Sequence, residues 1–483
     1  MNPLLPLIAA ITITVASAAA SPQTVDDAPA TDRALPAPAA PPADAVPAAT
    51  APDRRTRDAE TFDAVWTIVR DSHWDPERTG AAWDAVRDEL RPKAETAADQ
   101  DALRAVLMEA LARLGQSHFT IIPGELSSAA PGAAELREGR SGATLWFTPR
   151  EGTPGTWDAI VCAVEPGSPA EAAGITPGMA VERIGDRVLG ERLPAGDGLE
   201  RGQRAQVATA LASGEPGSSA TWRVVPREGE PRDVTVTYAA DERPRAKFGA
   251  LPPLPTELTW RHLDETERER WGAGNHEIGL IAFSVWLIPV AKPFDTAMDT
   301  LRESDGIIID LRGNPGGIGA MAMGVAGHFT AEPRNLGEMR SRDATLNFAT
   351  NPRRVGAAGQ PVEPFAGPVA ILVDESTAST SEIFAGGLQH LGRAKVFGRR
   401  TAGAALPAIM TPLPNGDVFL HAIADYRLPD GSALEATGVR PDNARPYDAA
   451  DYAREGDPAL AEAVRWIAST TAPSNDSPPT ATP

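Results

Sequence analysis

Large apolar side chains recur at helical spacing near the start of the chain. In "AETFDAVWTIVRDSHW" they fall on one face, which is formed by Phe62, Val65, Trp66 and Val69. In "DQDALRAVLMEALARLG" a second apolar face is formed by Leu103, Val106, Leu107, Ala110 and Leu111. Asp99 and Asp101 are candidate N-caps of this second helix, and Gly115 is its candidate end. The pattern predicts a helical domain over residues 56–130.

The pattern changes between residues 138 and 242, where short runs typical of β-strands follow one another. These runs are "ATLWFT", "WDAIVCAV", "MAVERIG", "ATWRVV" and "DVTVTYA". Among them, "EPGSPAEAAGITPGMAVERIGDRVLG" encodes a turn, a short helix, a Gly-Pro turn and a strand, and this order resembles a PDZ domain. The resemblance implies that an extended peptide adds to a sheet edge while backbone amides hold its C-terminal carboxylate.

The stretch "SGATLWFT" stands where a PDZ domain has its carboxylate-binding loop and first strand. Leu145, Trp146 and Phe147 are therefore the candidate substrate-binding residues. The alternative is a structural module whose groove is blocked.

Strands and helices alternate from about Glu277 onward. The apolar runs "EIGLIAF", "GIIIDLRG" and "PVAILVDES" have the length of buried strands, and helical patterns follow each of them. This alternation predicts a layered α/β core over residues 255–470, built from βα crossovers. Catalytic groups in such folds collect at the carboxyl ends of the strands.

Both ends of the chain lack the pattern of a packed domain. The first residues, "MNPLLPLIAAITITVASAAASPQT", resemble a secretory signal peptide over residues 1–20, and a short membrane anchor is the alternative. Residues 21–55 are rich in Ala, Pro and Asp, which predicts a disordered linker, and residues 471–483 predict a similar tail. We therefore expect export to a periplasm or to the extracellular space.

Charge and cysteine content limit the partners. The formal net charge is −20, from 45 basic and 65 acidic residues, which disfavours nucleic acid because the two would repel each other. Cys162 is the only cysteine and lies in a strand-like run, which predicts a small buried apolar side chain. Since no metal cluster or cofactor motif occurs in the sequence, we expect no cofactor.

The first candidate for chemistry is Ser379, in the turn between the strand "VAILV" and the helix that follows it. Free amides at a helix N-terminus stabilise an anion, so the Thr380 N–H could donate to an oxyanion beside a nucleophilic serine. The alternative is that Ser376, Ser379 and Ser381 are helix caps.

A second strand end carries the loop "DLRGNPGG", residues 310–317. Its adjacent glycines Gly316 and Gly317 allow a tight turn with exposed N–H groups, which could complete an oxyanion hole. The alternatives are a phosphate-binding loop or a plain turn. Asp310 and Arg312 are expected to pair locally and orient the loop.

Taken together, "DLRGNPGG", "ESTASTSEIFAGGLQHLGRAKVFG", "TAGA" and "LEATGVRPD" resemble the tail-specific, or C-terminal processing, serine protease family, which includes the tricorn protease core. The resemblance covers roughly residues 57–465. It implies a crotonase-like α/β core with an inserted PDZ domain. It also implies that Ser379 is the nucleophile and that Thr380 N–H with Gly316 or Gly317 forms the oxyanion hole. Which glycine donates stays open.

The sequence departs from the lysine-dependent members of that family. Their catalytic lysine lies 25 residues after the serine, and the corresponding residue here is Ala404, whose methyl group cannot accept a proton. The chain has four lysines, and Lys395, the nearest, lies in the strand-like run "RAKVFG", where a solvated side chain is expected.

The tricorn-like branch instead uses a histidine base that is oriented by a glutamate. His118 in "LGQSHFTII", preceded by Ser117, matches that base, and Glu435 in "LEATGVRPD" matches the glutamate. A neutral imidazole suits a general base near neutral pH. The alternative is that His118 is a buried structural histidine. His390 lies about 16 Å along the helix from Ser379, which is too far, and His328 and His421 lack a motif.

Three hypotheses follow from these residues. The first is an exported serine peptidase with a Ser379–His118–Glu435 triad that is assisted by Ser117. The second is a non-catalytic relative that binds hydrophobic ligands, as interphotoreceptor retinoid-binding protein does on a similar core. The third is a PDZ-led scaffold that binds exposed peptide C-termini without turnover.

Overall fold

The computed structural model describes residues 53–126, 138–150, 152–191 and 193–471. The predicted signal peptide, nearly all of the predicted linker and nearly all of the predicted tail lie outside these residues. The first helix begins at Arg54, so the last two residues of the predicted linker belong to it. Among the described residues, no helix combines the length and apolar character needed to cross a membrane.

Three helices and one short strand form the first part of the chain: α1 (Arg54–Ser72), α2 (Ala81–Glu95), α3 (Gln100–Ala112) and β1 (Thr120–Ile122). The Trp66 and Trp83 indoles each donate to the other's backbone carbonyl at 3.1 Å, which joins α1 to α2. Only three residues of α2 are buried, so its apolar pattern is too sparse to predict from sequence. Asp99 caps α3 by accepting from Ala102 N–H, whereas Asp101 is not the cap.

The helical part does not have a core of its own. Strand β1 pairs antiparallel with β21 (Val418–Ala422), which itself pairs with β20 (Ala408–Pro412), both from the C-terminal third of the chain. Buried residues of α1–α3 pack in one cluster with Phe419, Leu420 and Leu406. The segment that contains His118 is therefore held against the α/β core.

The middle of the chain forms a β-rich unit over residues 138–240. Its elements are β2 (Gly139–Arg140), β3 (Ala143–Pro149), β4 (Trp157–Val164), α4 (Pro169–Ala172), β5 (Ala180–Ile184), β6 (Arg187–Val188), α5 (Glu200–Leu211), β7 (Ser213–Gly214), β8 (Ser219–Val225), β9 (Arg232–Thr237) and β10 (Ala239–Ala240). The main sheet has the order β3-β4-β5-β8-β9, so β3 is an edge strand. Helix α5 packs against β3.

The remaining elements form the α/β core and its additions. They are β11 (Arg245–Ala246), β12 (Leu254–Pro255), β13 (Leu258–His262), α6 (Glu265–Trp271), β14 (Ile278–Phe283), α7 (Ile288–Leu301), β15 (Gly306–Asp310), α8 (Ala320–Ala326), β16 (Asn335–Arg340), β17 (Thr345–Ala349), β18 (Val369–Val373), α9 (Thr380–His390), β19 (Ala394–Gly398), β20, β21, β22 (Asp425–Arg427), α10 (Ala449–Glu455) and α11 (Pro458–Thr471). The mixed α/β fold class is confirmed.

The central sheet has the order β13-β14-β15-β18-β19, with the last four strands parallel. Both faces are covered, which is why the strands are apolar throughout. In β15, Ile307 and Ile309 pack in the cluster with α7, α8 and α9, while Ile308 packs in the cluster with α11. Because β15 and β18 are neighbouring parallel strands, the loops that follow Asp310 and Val373 lie next to each other at the carboxyl ends of the strands.

Helix α11 approaches β15 closely enough to require a glycine. A Cβ added to Gly306 would lie 2.4 Å from the Ile467 Cγ2 atom. We expect Gly306→Ala to lower the free energy of unfolding by about 1–3 kcal/mol through overpacking. Urea unfolding measures this loss of unfolding free energy. In the double variant, Ile467→Ala should relieve part of the overpacking that Gly306→Ala causes. Gly324→Ala is the control, since nothing lies within 4 Å of its added Cβ; equal losses in both glycine variants would contradict the packing argument.

Candidate active site

Ser379 lies in a sharp turn between β18 and α9. Its backbone φ is +57°, and its side chain is fully buried. The Oγ atom has no hydrogen-bond partner among the described residues. Ser379 and Glu382 nevertheless have the geometry of a capping box at the start of α9, so this turn is compatible with a helix cap as well as with a nucleophilic hydroxyl.

A buried carboxylate holds the turn. Glu382 Oε2 accepts from Ser379 N–H at 3.1 Å and from Ala404 N–H at 2.9 Å, and Oε1 accepts from Gly403 N–H at 2.8 Å. The Thr401 hydroxyl donates to the same Oε1. Burial raises the pKa of Glu382, and these donors act against that rise. The serine and the glutamate three residues later form a pattern typical of helix starts, so sequence could have shown this role.

The His118 segment is tied to Glu435 through Ser117. Glu435 Oε1 accepts from Ser117 N–H at 2.7 Å, and Oε2 accepts from the Ser117 hydroxyl at 2.9 Å. The same hydroxyl lies 2.6 Å from His118 Nδ1. When Glu435 is ionised it can only accept from the Ser117 hydroxyl, so Nδ1–H then donates to Ser117 Oγ and Nε2 is the nitrogen without a proton.

The segment 403–405 joins the two halves of the site. Ala404 C=O accepts from Ser379 N–H at 2.8 Å, and the next residue, Ala405, donates its N–H to Glu435 Oε2 at 3.2 Å. Backbone hydrogen bonds through this segment thus link the Ser379 turn to Glu435, and Glu435 in turn contacts Ser117, which precedes His118.

Backbone strain marks the same place. Among the described residues, the non-glycine residues with positive φ are His118 at +60°, Ser379 at +57° and Ala436 at +56°. Ala436 directly follows Glu435. Such conformations are costly for residues with a Cβ and persist where the surrounding structure fixes them, which is frequent at functional sites.

The backbone N–H groups of Gly316 and Gly317 differ in whether they already donate a hydrogen bond. A Cβ on Gly316 would lie 2.6 Å from Ser379 Cβ, so this loop passes directly beside the serine. However, the Gly316 N–H already donates to Asn314 Oδ1 at 3.0 Å. The neighbouring Gly317 N–H has no acceptor among the described residues. Gly317 is thus the glycine whose amide is free to donate.

Other predicted residues lie elsewhere. Arg312 pairs with Asp310 and also with Asp457, so it orients the loop as expected. Lys395 is on β19, where its Nζ lies 5.5 Å from the centroid of the Trp466 ring. His328 pairs with Asp295, and His421 lies between the hydroxyls of Ser72 and Thr411. Among the described residues, no group of three or more His, Cys, Asp or Glu side chains could hold a metal ion.

The three candidate substrate-binding residues lie on β3. Leu145 and Phe147 point into the core of the β-rich unit, whereas Trp146 packs against the α/β core beneath Arg399. All three line a cavity of about 340 Å³ between β3 and α5. Their role in binding stays a prediction.

Sequence reasoning missed two groups that position the site. Gln116, just before Ser117, accepts from buried His73 Nε2 at 2.8 Å, since His73 Nδ1 accepts from Asp75 N–H. Buried Arg201, on α5, donates to Thr401 C=O at 3.0 Å and to Thr437 C=O at 3.0 Å. Neither group follows a motif, and their partners are distant in sequence, so no local signal could have found them.

Comparison with known proteins identifies the chain's domains. Residues 277–444 match Peptidase family S41, and residues 55–112 match the tricorn protease C1 domain. These two segments are thus similar to domains of the S41 peptidase and tricorn protease families. This confirms the resemblance that the sequence suggested.

Among curated relatives, a carboxyl-terminal-processing protease of Picosynechococcus sp. is 28% identical over 299 residues, which are 60% of this chain and 61% of that protein. The C-terminal processing peptidase of Tetradesmus obliquus is 26% identical, over 59% of this chain and 56% of its own. The aligned regions thus span less than two thirds of these relatives.

Solved structures share the fold. The photosystem II D1 C-terminal processing protease aligns with a TM-score of 0.51 and 21% identity, over 86% of this chain and 98% of its own. Mature CPAF aligns with a TM-score of 0.55 and 13% identity over the same shares. These likenesses place the mixed α/β chain in the fold of C-terminal processing proteases.

Burial of Glu435 makes stability depend on pH. Burial, with nearby Glu382, raises the pKa of Glu435 to about 7 from a usual 4.5, although Ser117 and Ala405 donate to it. The folded protein therefore retains this proton to a higher pH than the unfolded chain. The associated stabilisation is present below pH 4.5 and is lost as the pH rises through 7. Its size is on the order of 3 kcal/mol.

We expect Glu435→Gln to remove this loss, so the unfolding free energy should fall less steeply with pH. Urea unfolding at pH 5, 6 and 7 checks the slope. Glu60→Gln, at an exposed position on α1, is the control and should leave the slope unchanged. The same slope in the Glu435→Gln and unmodified proteins would contradict the assignment.

Proposed function

We propose that the protein is a serine peptidase that hydrolyses peptide bonds through a Ser379–His118–Glu435 triad assisted by Ser117. The observation that carries the proposal is the chain of hydrogen bonds from Ser379 N–H through segment 403–405 to Glu435, Ser117 and His118 Nδ1. The family match over residues 277–444 and the names of the relatives support the same activity.

In this proposal, Ser379 Oγ attacks the scissile carbonyl and His118 Nε2 accepts its proton. The imidazolium then donates a proton to the leaving amine, and water hydrolyses the acyl-enzyme by the same route. Ser117 links Glu435 to Nδ1–H, and once Glu435 is ionised, above its pKa of about 7, its negative charge keeps the proton on that nitrogen. The N–H groups of Thr380 and Gly317 donate to the oxyanion.

Access to Ser379 requires a movement. Leu199, from the β-rich unit, packs on Ala378, Ala402 and Ala404, the small residues around the buried serine. In the proposal, a substrate reaches Ser379 when this cover is displaced.

We further propose that residues 138–242 act as a PDZ domain that engages the C-termini of protein substrates, with the α/β core adopting the crotonase-like arrangement. Edge strand β3 beside helix α5 supports this, because a peptide can add to that edge. Leu145, Trp146 and Phe147 would line its site. The N-terminal sequence supports export, and periplasmic or extracellular action is part of the proposal.

A fluorophosphonate probe tests the nucleophile and its base. We expect the probe to modify Ser379, as identified by mass spectrometry of the labelled peptide, because the probe reacts with activated serines. His118→Ala should lower the labelling rate at least 100-fold, since a general base contributes about 10²–10⁴. His328→Ala, which removes a buried histidine in the core, is the matched control and should keep the rate within a few fold.

Folding of each variant is checked by circular dichroism. Labelling that is equally fast in His118→Ala and unmodified protein would refute the triad. Absence of labelling at Ser379 in folded protein would favour the non-catalytic ligand-binding hypothesis instead.

Hydrolysis itself requires a second assay. A casein or peptide library incubated with the protein should yield fragments, and Ser379→Ala should abolish them. Peptide binding with no fragments from the unmodified protein would favour the scaffold hypothesis.

A further inference from the structure

The cavity between β3 and α5 contains a buried arginine without a counterion. Arg204 is 8% exposed and lines this cavity. Its Nη1 donates to the carbonyls of Pro194 at 2.6 Å and Gly196 at 2.7 Å, and its guanidinium stacks 4.1 Å from the Trp157 ring centroid. Among the described residues, no carboxylate pairs with it.

The carboxylates that also line the cavity are already engaged. Asp374 Oδ1 accepts from the backbone N–H groups of Gly313, Ser376 and Thr377. Both Glu375 oxygens accept from Arg399 Nε, at 2.9 and 2.8 Å. Asp197 pairs with Arg400 and Arg201. Arg204 is therefore a desolvated cation whose charge these groups do not neutralise directly.

Desolvation acts against the charged form of Arg204. Burial lowers the pKa of Arg204, because removing water penalises its charged form. A carboxylate entering the cavity would form charge-assisted hydrogen bonds with the guanidinium nitrogens that do not donate to the loop carbonyls. The chain as a whole has a net charge of −20, so the positive charge of Arg204 is opposite in sign to the net charge of the protein.

The position of Arg204 along the groove indicates which carboxylate it meets. The C-terminal end of α5 lies beside the start of β3, since Ser141 N–H donates to Ala212 C=O at 3.3 Å. Arg204 precedes Ala212 by eight residues, or about 12 Å of helix. An extended peptide with its C-terminus near Ser141 rises about 3.3 Å per residue. Arg204 would then lie three to four residues before the peptide's end.

We propose that this groove selects peptides with an acidic side chain three to four residues before the C-terminus, and that Arg204 is the residue that reads it. The inference rests on the proposed peptide-binding role of residues 138–242. It does not need Ser379 to be catalytic.

Fluorescence anisotropy tests the selection on the full chain with Ser379→Ala, which prevents cleavage. The probes are two fluorescein-labelled ten-residue peptides of Ala and Ser that end in Ala-Ala and differ only by Glu or Gln at the fourth position from the end. We expect the Glu peptide to bind about tenfold more tightly, as a hydrogen-bonded charge pair allows. Peptides with an amidated C-terminus should keep this preference, because the side chain and not the terminal carboxylate contacts Arg204.

Arg204→Gln should remove the preference for the Glu peptide over the Gln peptide. If Arg204 were only structural, the same substitution would weaken the binding of both peptides equally. Arg187→Gln is the control, since it removes the same charge from an exposed strand of the same unit. Arg204→Lys should retain part of the preference for the Glu peptide. This variant replaces Arg204→Gln in the test if Arg204→Gln does not fold.

Three outcomes would overturn the proposal: equal binding of both peptides to the unmodified groove, no binding of either, or a preference that survives Arg204→Gln. Failure of the peptidase proposal is separate, because it is measured by labelling of Ser379 and by hydrolysis. A preference for Glu in a chain whose Ser379 is unreactive would leave the groove assignment standing.

Discussion

Two buried carboxylates hold segment 403–405, and the candidate active site depends on this constraint. Glu382 accepts from the N–H groups of Gly403 and Ala404, while Glu435 accepts from Ala405 N–H. Ala404 C=O in turn accepts from Ser379 N–H. A few backbone hydrogen bonds therefore fix the Ser379 turn relative to the Ser117–His118 segment.

The arrangement is costly and is maintained by dense hydrogen bonding. Taking a carboxylate out of water is unfavourable, and burial raises the pKa of both glutamates. Backbone and hydroxyl donors offset that cost, because each supplies a hydrogen bond to the charged form. The same network holds three non-glycine residues at positive φ, which isolated chains would avoid.

The β-rich unit is coupled to this site through one helix. Arg201 of α5 donates to the carbonyls of Thr401 and Thr437, and Leu199 covers the alanines around Ser379. Three residues further along the same helix, Arg204 lines the groove beside β3. A ligand in that groove would contact the helix that also contacts the site, so binding and access to Ser379 are mechanically linked in our proposals.

Sequence by itself determined many of the local elements and indicated the family. The long apolar runs of β14, β15 and β18 and the amphipathic faces of α1 and α3 follow from periodicity, which depends only on neighbouring residues. Sequence also excluded a lysine at position 404 and left His118 and Glu435 as the alternative. Helix α2 was missed because few of its residues are buried.

Only the tertiary structure decided how the site is assembled. It showed that the helical part shares a core with strands β20 and β21, and that Gly316 N–H is engaged while Gly317 N–H is not. It also showed that Arg201 donates to Thr401 C=O and that His73 donates to Gln116. These facts are hydrogen bonds and contacts between residues far apart in the chain. Their geometry is set by packing of whole elements, which no local pattern encodes.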